Sequence, residues 1–401
     1  MYAVRKPWAA ADWDGADVGP LQLKIALGTA QLLGYALSKF LGIKFVAEIT
    51  PNRRAMALIA LIGAAEAALI VFGAVGPTGK VIAIFFNGLP LGAIWGLVFG
   101  FLEGRRTSEI LGAGLSVSYI VASGAVKSVG AATMDWGVPE TWMPAATGLL
   151  FMPLFGVAVW ALGQLPPPNA EDIAARTRRE PMNGAQRRAF VRRFGFGLVA
   201  LTGLYTFLTA YRNFRDDFAK EIWSALGHGD EPAIFTVSEV PVALAVLVAL
   251  ALIYRIKNNR RAFFAVHWLM MSGTALMGLA TAAFDAQLIE GVTWMILLGV
   301  GLYLAYVPYG CVLFDRLIAT TGAAGTAVFM IYVTDAFGYV GAITTNLIKN
   351  FGGAELSWLL FFRIFSYVTA AVCTIAFAAS AGYFARKTQA APAGPTSGSA
   401  A

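Results

Sequence analysis

The sequence has 401 residues, of which 58% are hydrophobic and 13% are charged, and its mean hydropathy is +0.66. This composition excludes an ordinary water-soluble globular protein of this length. The formal net charge of +7 does not indicate a nucleic-acid partner, because the positive residues lie in short loops between apolar stretches, as they do beside a lipid bilayer.

The apolar stretches predict membrane-spanning helices. About 20 helical residues cross a hydrocarbon core of roughly 30 Å, whereas transmembrane strands are shorter and alternate in hydropathy. Eleven complete spans are predicted, near residues 21–43, 55–76, 81–102, 108–131, 142–163, 194–213, 234–254, 262–284, 291–314, 320–347 and 356–384.

The charges of the loops predict which side of the membrane each loop occupies. Every second loop is basic, carrying Lys44, Arg53 and Arg54; Arg105 and Arg106; the arginines of 176–193; Arg255, Lys257, Arg260 and Arg261; Arg316; and Arg386 and Lys387. The loops between them carry acids, from Asp12, Asp14 and Asp17 to Glu355. Since basic loops remain in the cytoplasm, we expect these loops and the C-terminus on the cytoplasmic side.

Short motifs recur in the same order in the two parts of the chain, which is typical of transporters built from repeats. Arg5, Trp8 and Trp13 match Arg215, Phe218 and Trp223; Asn52–Ala55 matches Asn259–Ala262; and Gly88–Arg105 parallels Gly299–Arg316.

These repeats predict an N-terminal bundle at 1–163, a central cytoplasmic loop at 164–193, a C-terminal bundle at 194–387 and a disordered tail at 388–401. About 20 apolar residues from Phe194 precede Arg215, and Arg5 has no such run before it. We therefore expect that Met1 lies in or at the end of a largely missing first helix, and that the natural gene product starts upstream.

Several strings resemble one family of proteins. They are Tyr2–Trp8, Gln31–Lys39, Asn87–Gly92 running on to Leu102–Arg106, Tyr211–Asp216, and Trp294 with Met295 followed by Phe314–Arg316. Over nearly the whole chain, the sequence resembles a bacterial membrane protein family of unknown function within or near the major facilitator superfamily. The resemblance implies an all-α fold of two six-helix bundles around a central site that opens alternately to each side.

A looser resemblance links the arginine-bearing helices to those of organophosphate:phosphate antiporters, in which such arginines hold a phosphate. One superfamily feature departs from its usual form. Gly42 is followed by an acid only at Glu48, and then by Arg53 and Arg54. This spacing puts the usual locking role of that loop in doubt.

Charged residues inside predicted spans are the best candidates for a site, because an unpaired charge there is costly. The predicted substrate-binding residues are Lys127, deep in a span, and two groups at the outer parts of helices that correspond in the repeat, namely Arg5 with Lys6 and Arg212 with Arg215. Arginine suits phosphate or carboxylate because its planar fork donates two hydrogen bonds. Two alternatives stay open: Arg215 pairs with Asp216, Asp217 or Glu221, and Lys127 neutralises a buried carboxylate such as Asp335.

Three acids within spans are candidates for carrying a coupling proton, namely Asp335, Glu239 and Glu66. Burial favours the protonated carboxyl. The alternatives are that Asp335 pairs with Lys127 or Lys349, that Glu239 lies near the outer interface, and that Glu66 is a structural partner.

The sequence favours a secondary active transporter of a small anionic solute, phosphorylated or carboxylated, working as a monomer in the bacterial cytoplasmic (inner) membrane. No cofactor, metal or enzymatic activity is expected: there is no Gly-Lys-Ser/Thr phosphate loop, and the two histidines are isolated in sequence. The alternatives are a transporter-like membrane sensor or scaffold and, less favoured, a membrane-embedded enzyme.

Overall fold

A computed structural model of the protein describes residues 1–14, 17–102, 108–166, 184–321, 327–352 and 355–389. Most of the predicted central loop, Arg105 and Arg106, and the predicted tail from residue 390 lie outside the described residues. The same holds for the side chains of residues 40–48, which include Glu48 of the altered loop feature.

The N-terminal part is helical except for one short hairpin. Two 3₁₀ turns at Tyr2–Val4 and Pro7–Ala10 come first. Strands β1 (Asp17–Val18) and β2 (Leu21–Gln22) then pair in antiparallel fashion, with Gly19 at φ 61° in the turn between them. The helices that follow are α1 (Leu23–Glu48), α2 (Pro51–Ala74), α3 (Pro77–Leu91), α4 (Ile94–Leu102), α5 (Ser108–Asp135) and α6 (Met143–Gly163).

The described residues of the C-terminal part form helices joined by turns. The helices are α7 (Gly184–Asp217), α8 (Ala219–Ala225), α9 (Ile234–Val237), α10 (Glu239–Tyr254), α11 (Asn259–Asp285), α12 (Gly291–Cys311), α13 (Leu313–Thr321), α14 (Ala327–Phe351) and α15 (Trp358–Gln389). Pro90 and Pro308 lie inside α3 and α12, close to the points where these helices end, as expected for a residue that removes a helical hydrogen bond.

The predicted helical, multi-span architecture is confirmed. Within the described residues, 8 helical segments are long and apolar enough to cross a membrane. Helices α1, α5 and α14 coincide with the remaining predicted spans at 21–43, 108–131 and 320–347. The count of eleven spans and the missing first helix stay predictions.

The buried apolar residues form two main clusters. One lies almost wholly between Phe190 and Phe384, and all buried members of the other lie between Val4 and Val159. The two parts of the chain also pack alike: α7 contacts α14 and α15, while the two 3₁₀ turns contact α5 and α6. This similarity agrees with the predicted correspondence of Arg5 and Arg215.

Helices α1 and α3 pack closely through two glycines. A Cβ atom on Gly34 would collide with the backbone oxygen of Phe85, and one on Gly88 would collide with the backbone oxygen of Gln31. Small residues allow membrane helices to approach at backbone distance, and here they bring Gln31 of α1 next to Asn87 of α3.

Gly88→Ala is therefore expected to destabilise the protein by roughly 1–3 kcal/mol, the usual effect of overpacking a tight contact. The measurement is the melting temperature of the purified protein in detergent. Gly63→Ala is the matched control, because no atom lies within 4 Å of a Cβ at that α2 position and alanine favours helix over glycine by about 1 kcal/mol. Equal melting temperatures for both variants would contradict the close packing.

Candidate functional site

A cavity of about 550 Å³ lies between the two parts of the chain. Its wall combines apolar side chains, such as Leu58, Val98 and Phe155, with polar ones from both parts. The charged and aromatic polar residues among the lining are Tyr2, Arg5, Tyr35, Lys39, Tyr119, Tyr205, Arg212, Tyr306, Asp335 and Tyr339. A pocket of this size and mixed lining is typical of small-molecule sites.

Arg5 is held in the cavity wall through its backbone. Its carbonyl accepts a hydrogen bond of 2.9 Å from Nε2 of Gln31, which also donates to Asn87 over 2.8 Å. Asn87 in turn donates to the carbonyl of Val4 over 2.8 Å. The Arg5 guanidinium stacks 4.2 Å from the centre of the Tyr35 ring. Its Nε has no hydrogen-bond partner, and no described carboxylate forms an ion pair with it.

Arg212 enters the same cavity from α7. Its Nη1 donates to the hydroxyl of Tyr306 over 2.8 Å, and its Nη2 lies 3.4 Å from the hydroxyl of Tyr2. The guanidinium lies 5.5 Å from the ring centre of Tyr119. Among the described side chains, all its contacts are neutral. The cavity therefore contains two guanidinium groups, those of Arg5 and Arg212, that have no carboxylate partner in the part of the chain that the structure describes.

Asp335 of α14 lies in the same cavity and joins the two bundles. One carboxylate oxygen is 2.9 Å from Nζ of Lys39 on α1, in an ion pair whose side chains are 19% and 15% exposed. The other accepts a hydrogen bond of 2.7 Å from the hydroxyl of Tyr205. The Tyr205 and Tyr306 hydroxyls are 3.0 Å apart. A continuous hydrogen-bonded chain thus leads from Arg212 to Lys39.

The partner expected for Asp335 is wrong, since the ion pair is made with Lys39 and not with Lys127 or Lys349. Lys349 lies 4.5 Å from the ring centre of Trp358. Lys39 was missed as a site residue although it lies inside the predicted span 21–43. That position alone would have marked it as an intramembrane cation.

Lys6 and Lys127 are ion-paired elsewhere and are not among the residues that line the cavity. Nζ of Lys6 is 3.0 Å from one carboxylate oxygen of Asp216 and also contacts Asp217. Nζ of Lys127 is 2.7 Å from the other oxygen of Asp216, which also accepts a hydrogen bond from Ser123. Two lysines and two aspartates thus neutralise each other across the bundles.

Arg215 is also paired, but with a different acid from those considered. Its Nη1 is 2.6 Å from an oxygen of Glu239, and its Nη2 donates to the carbonyl of Met295 over 3.2 Å. Glu221, one of the expected partners, binds Lys24 of α1 at 2.6 Å. The Arg215–Glu239 pair lies where α7 ends and α10 begins, whereas the Lys24–Glu221 pair joins the start of α1 to α8.

Glu66 stands apart from these networks. Its side chain on α2 is buried and packs against Gly148 of α6. Neither carboxylate oxygen has a hydrogen-bond partner in the structure as described. Glu66 is not among the residues that line the cavity, and the described His, Cys, Asp and Glu side chains form no group that could hold a metal ion.

The ion pairs of Asp216 and Glu221 lie at the opposite end of the bundles from the cavity. The pairs of Asp216 and Glu221 lie where α5 and α7 end, and there the β1–β2 hairpin also bonds α14, because Asn350 donates to the carbonyl of Pro20 over 2.9 Å. The cavity instead reaches Leu115 near the start of α5, Leu162 near the end of α6 and Gly310 near the end of α12. One end of the interface between the bundles is therefore closed by charge pairs and the other contains the cavity.

The fold is that of major facilitator transporters. One similar structure is a D-xylose-proton symporter, with a TM-score of 0.65 and 13% identity over 94% of this chain and 92% of that chain. Another is a POT family peptide transporter in an auto-inhibited state, with a TM-score of 0.56 and 15% identity over 96% and 93%.

The human organic anion transporter MFSD10 is also similar, with a TM-score of 0.54 and 14% identity over 90% of this chain and 83% of its own. At these identities the likeness concerns the fold alone. No curated protein matches the sequence. The family of unknown function DUF5690 matches residues 7–387, and this agrees with the resemblance seen in the sequence. The chain belongs to the DUF5690 family.

Proposed function

We propose that this chain is a secondary active transporter that moves a small organic anion by alternating access. The observation that carries the proposal is the pair of guanidinium groups of Arg5 and Arg212, one from each bundle, which share a cavity and have no carboxylate partner among the described residues. The three similar structures are named for a sugar, organic anions and peptides. The fold therefore does not indicate which substrate this chain carries. The substrate class is inferred instead from the charge of the cavity lining.

The charge balance of the cavity favours an anion with two negative charges. Among the described side chains of the lining, Lys39 and Asp335 form an ion pair, so Arg5 and Arg212 add two positive charges to it. Isolated charges inside a membrane protein are costly unless they are hydrated or paired. A phosphate monoester or a dicarboxylate supplies two negative charges and accepts bidentate bonds from arginine. The volume of about 550 Å³ falls within the roughly 300–1,000 Å³ of organic ligand sites.

The remaining predicted substrate residues take a different part in this proposal. Lys6 and Lys127 are occupied by carboxylates of the other bundle, so we assign them to closing the interface rather than to holding the substrate. Arg215 is occupied by Glu239 of its own bundle, so we assign it to holding α7 against α10. With the basic loops in the cytoplasm, as the sequence predicts, the closed end faces outward and the cavity opens inward. The proposed setting is the bacterial cytoplasmic membrane, with the monomer as the working unit.

Arg5→Gln and Arg212→Gln are each expected to weaken anion binding by about 10- to 100-fold, because each removes charge-assisted hydrogen bonds worth roughly 1.5–3 kcal/mol. Thermal stabilisation by phenyl phosphate, hexose phosphates, dicarboxylates and inorganic phosphate first identifies a ligand. Binding is then titrated, and uptake into liposomes is followed with the labelled ligand.

Arg363→Gln is the matched control for these two variants, because Arg363 pairs with Asp285 at 2.5 Å and neither residue lines the cavity. It should leave affinity unchanged. Wild-type affinity and uptake in a protein that carries both Arg5→Gln and Arg212→Gln would refute the anion site.

The ion pair of Lys24 and Glu221 should hold the outer end closed. Removing both charges with Lys24→Met and Glu221→Gln takes away a cross-bundle contact without leaving a buried lone charge. We expect the double variant to populate an outward-open state more than the wild type does. Either single variant should lower the melting temperature more than the double variant, because it leaves an unpaired charge.

Spin labels on Trp136→Cys and Leu288→Cys report this opening, since both positions are exposed, at 71% and 77%, in the loops that follow α5 and α11. Cys311 and Cys373 are replaced first in all proteins compared. The distance distribution from double electron–electron resonance should shift to longer values in the Lys24→Met and Glu221→Gln protein. An unchanged distribution would show that this pair does not hold the outer end closed.

A further inference from the structure

The hydrogen-bonded chain in the cavity connects the proposed anion site to an ion pair between the bundles. It runs from Arg212 through Tyr306 and Tyr205 to Asp335, over 2.8 Å, 3.0 Å and 2.7 Å, and ends at Lys39, 2.9 Å from Asp335. Four helices contribute to it: α7, α12, α14 and α1.

The ionised form of Asp335 fixes the bonds at the two ends of this chain. A carboxylate only accepts hydrogen bonds, and an arginine only donates them. The Tyr205 hydroxyl is placed as a donor towards both Asp335 and Tyr306 and has one proton, which the charged carboxylate attracts, while Tyr306 accepts from Arg212. The negative charge of Asp335 therefore orients the Tyr205 hydroxyl, and it partly balances the charge of Arg212 through two neutral groups.

An anion on Arg212 would disturb this arrangement in two ways. It competes with Tyr306 for the guanidinium donors, and it brings a second negative charge towards Asp335. A nearby like charge favours the protonated form of a carboxyl group. Two events that each favour the other are linked, and the linkage is reciprocal.

We propose that Asp335 takes up a proton when the anion binds, so that the protein is a proton–anion symporter in which Tyr205 and Tyr306 communicate between the two sites. This inference rests on the proposed anion transport. The proton comes from the aqueous phase to which the cavity opens, adds to a carboxylate oxygen to give the neutral acid, and leaves to the opposite aqueous phase after the protein changes state. No other bond forms or breaks.

Protonation would also release the contact between the bundles. The neutral acid no longer forms an ion pair with Lys39, so the tie between α1 and α14 at this position weakens. The Lys39 ammonium group remains in the cavity wall, on the side of the anion. Proton and anion together thus loosen an interface that the empty protein keeps ion-paired.

The surroundings of Asp335 contain no second carboxylate that would take the proton in its place within the described part of the cavity. The ionisable side chains around it are Lys39 and Tyr35 from α1, Tyr205 from α7, Tyr306 from α12, and Tyr339 one turn along its own helix. The Tyr35 and Tyr339 rings are 5.4 Å apart, and Arg5 stacks on Tyr35. Among the described residues around the cavity, Asp335 is therefore the carboxyl group that would take up the proton when the anion binds.

The test measures protons taken up on binding, with the anion that the thermal panel selects. A pH indicator in lightly buffered detergent solution reports uptake at pH 6.5, 7.5 and 8.5. Wild type should bind about one proton more per anion than Asp335→Asn does, and its anion affinity should fall by up to about tenfold for each unit by which the pH is raised. Ionisation of the anion itself contributes equally to both proteins and cancels in the comparison.

Three further variants keep the result interpretable. Lys39→Gln with Asp335→Asn removes both charges of the ion pair, and should bind the anion without excess proton uptake even if Asp335→Asn alone is unstable. Tyr205→Phe interrupts the chain and should reduce the proton linkage while anion binding persists. Tyr309→Phe is the control, because its hydroxyl bonds the carbonyl of Leu201 at 2.9 Å outside the chain, and it should keep wild-type linkage.

The outcomes separate this inference from the proposed function. In one outcome, anion binding depends on Arg5 and Arg212, but Asp335→Asn takes up as many protons as wild type does. This result overturns the proton coupling alone. Wild-type linkage in Tyr205→Phe overturns the role of the chain. If no anion of the panel binds, or if the arginine variants bind as wild type does, anion transport fails and the coupling fails with it.

Discussion

Buried charge is the constraint that organises this protein. An ionised group within a membrane-spanning bundle needs an opposite charge or water, and the cations at the bundle interface divide into two groups by how they meet that need. Lys6, Lys24 and Lys127 have carboxylates from the other bundle at 2.6–3.0 Å. Arg5 and Arg212 instead contact tyrosine side chains and line the cavity. The first arrangement closes an interface, and the second provides attraction for an anion.

The sequence predicted the architecture because spans are local signals. Each needs only a run of apolar residues, and the eight segments that satisfy length and composition all fall on predicted spans. The intramembrane charges were visible for the same reason. Their partners were not, because pairs such as Asp335 with Lys39 join residues 296 positions apart on different bundles. Hydropathy has no information on which face of a helix meets which neighbour.

This limit explains how the candidate site changed. The repeat aligns Arg215 with Arg5, and both Arg212 and Arg215 were predicted to bind the substrate, yet Arg212, one turn earlier, is the arginine that lines the cavity. Neighbouring residues of a helix point about 100° apart, so the sequence places a guanidinium near the right depth without giving its direction. The acid that neutralises Arg215, Glu239, comes from α10, and only the packed structure brings the two together.

The end of α7 connects the cavity mechanically to the closed end of the interface. Arg212 and Asp216 are four residues apart, so they lie on one face of the helix. Arg212 faces the cavity, whereas Asp216 receives Lys6 and Lys127 from the other bundle. A rigid helix cannot move one of these side chains without the other. A displacement that draws Arg212 onto an anion therefore also shifts Asp216 relative to its two lysines, at the place where the bundles must separate for the cavity to open on the other side.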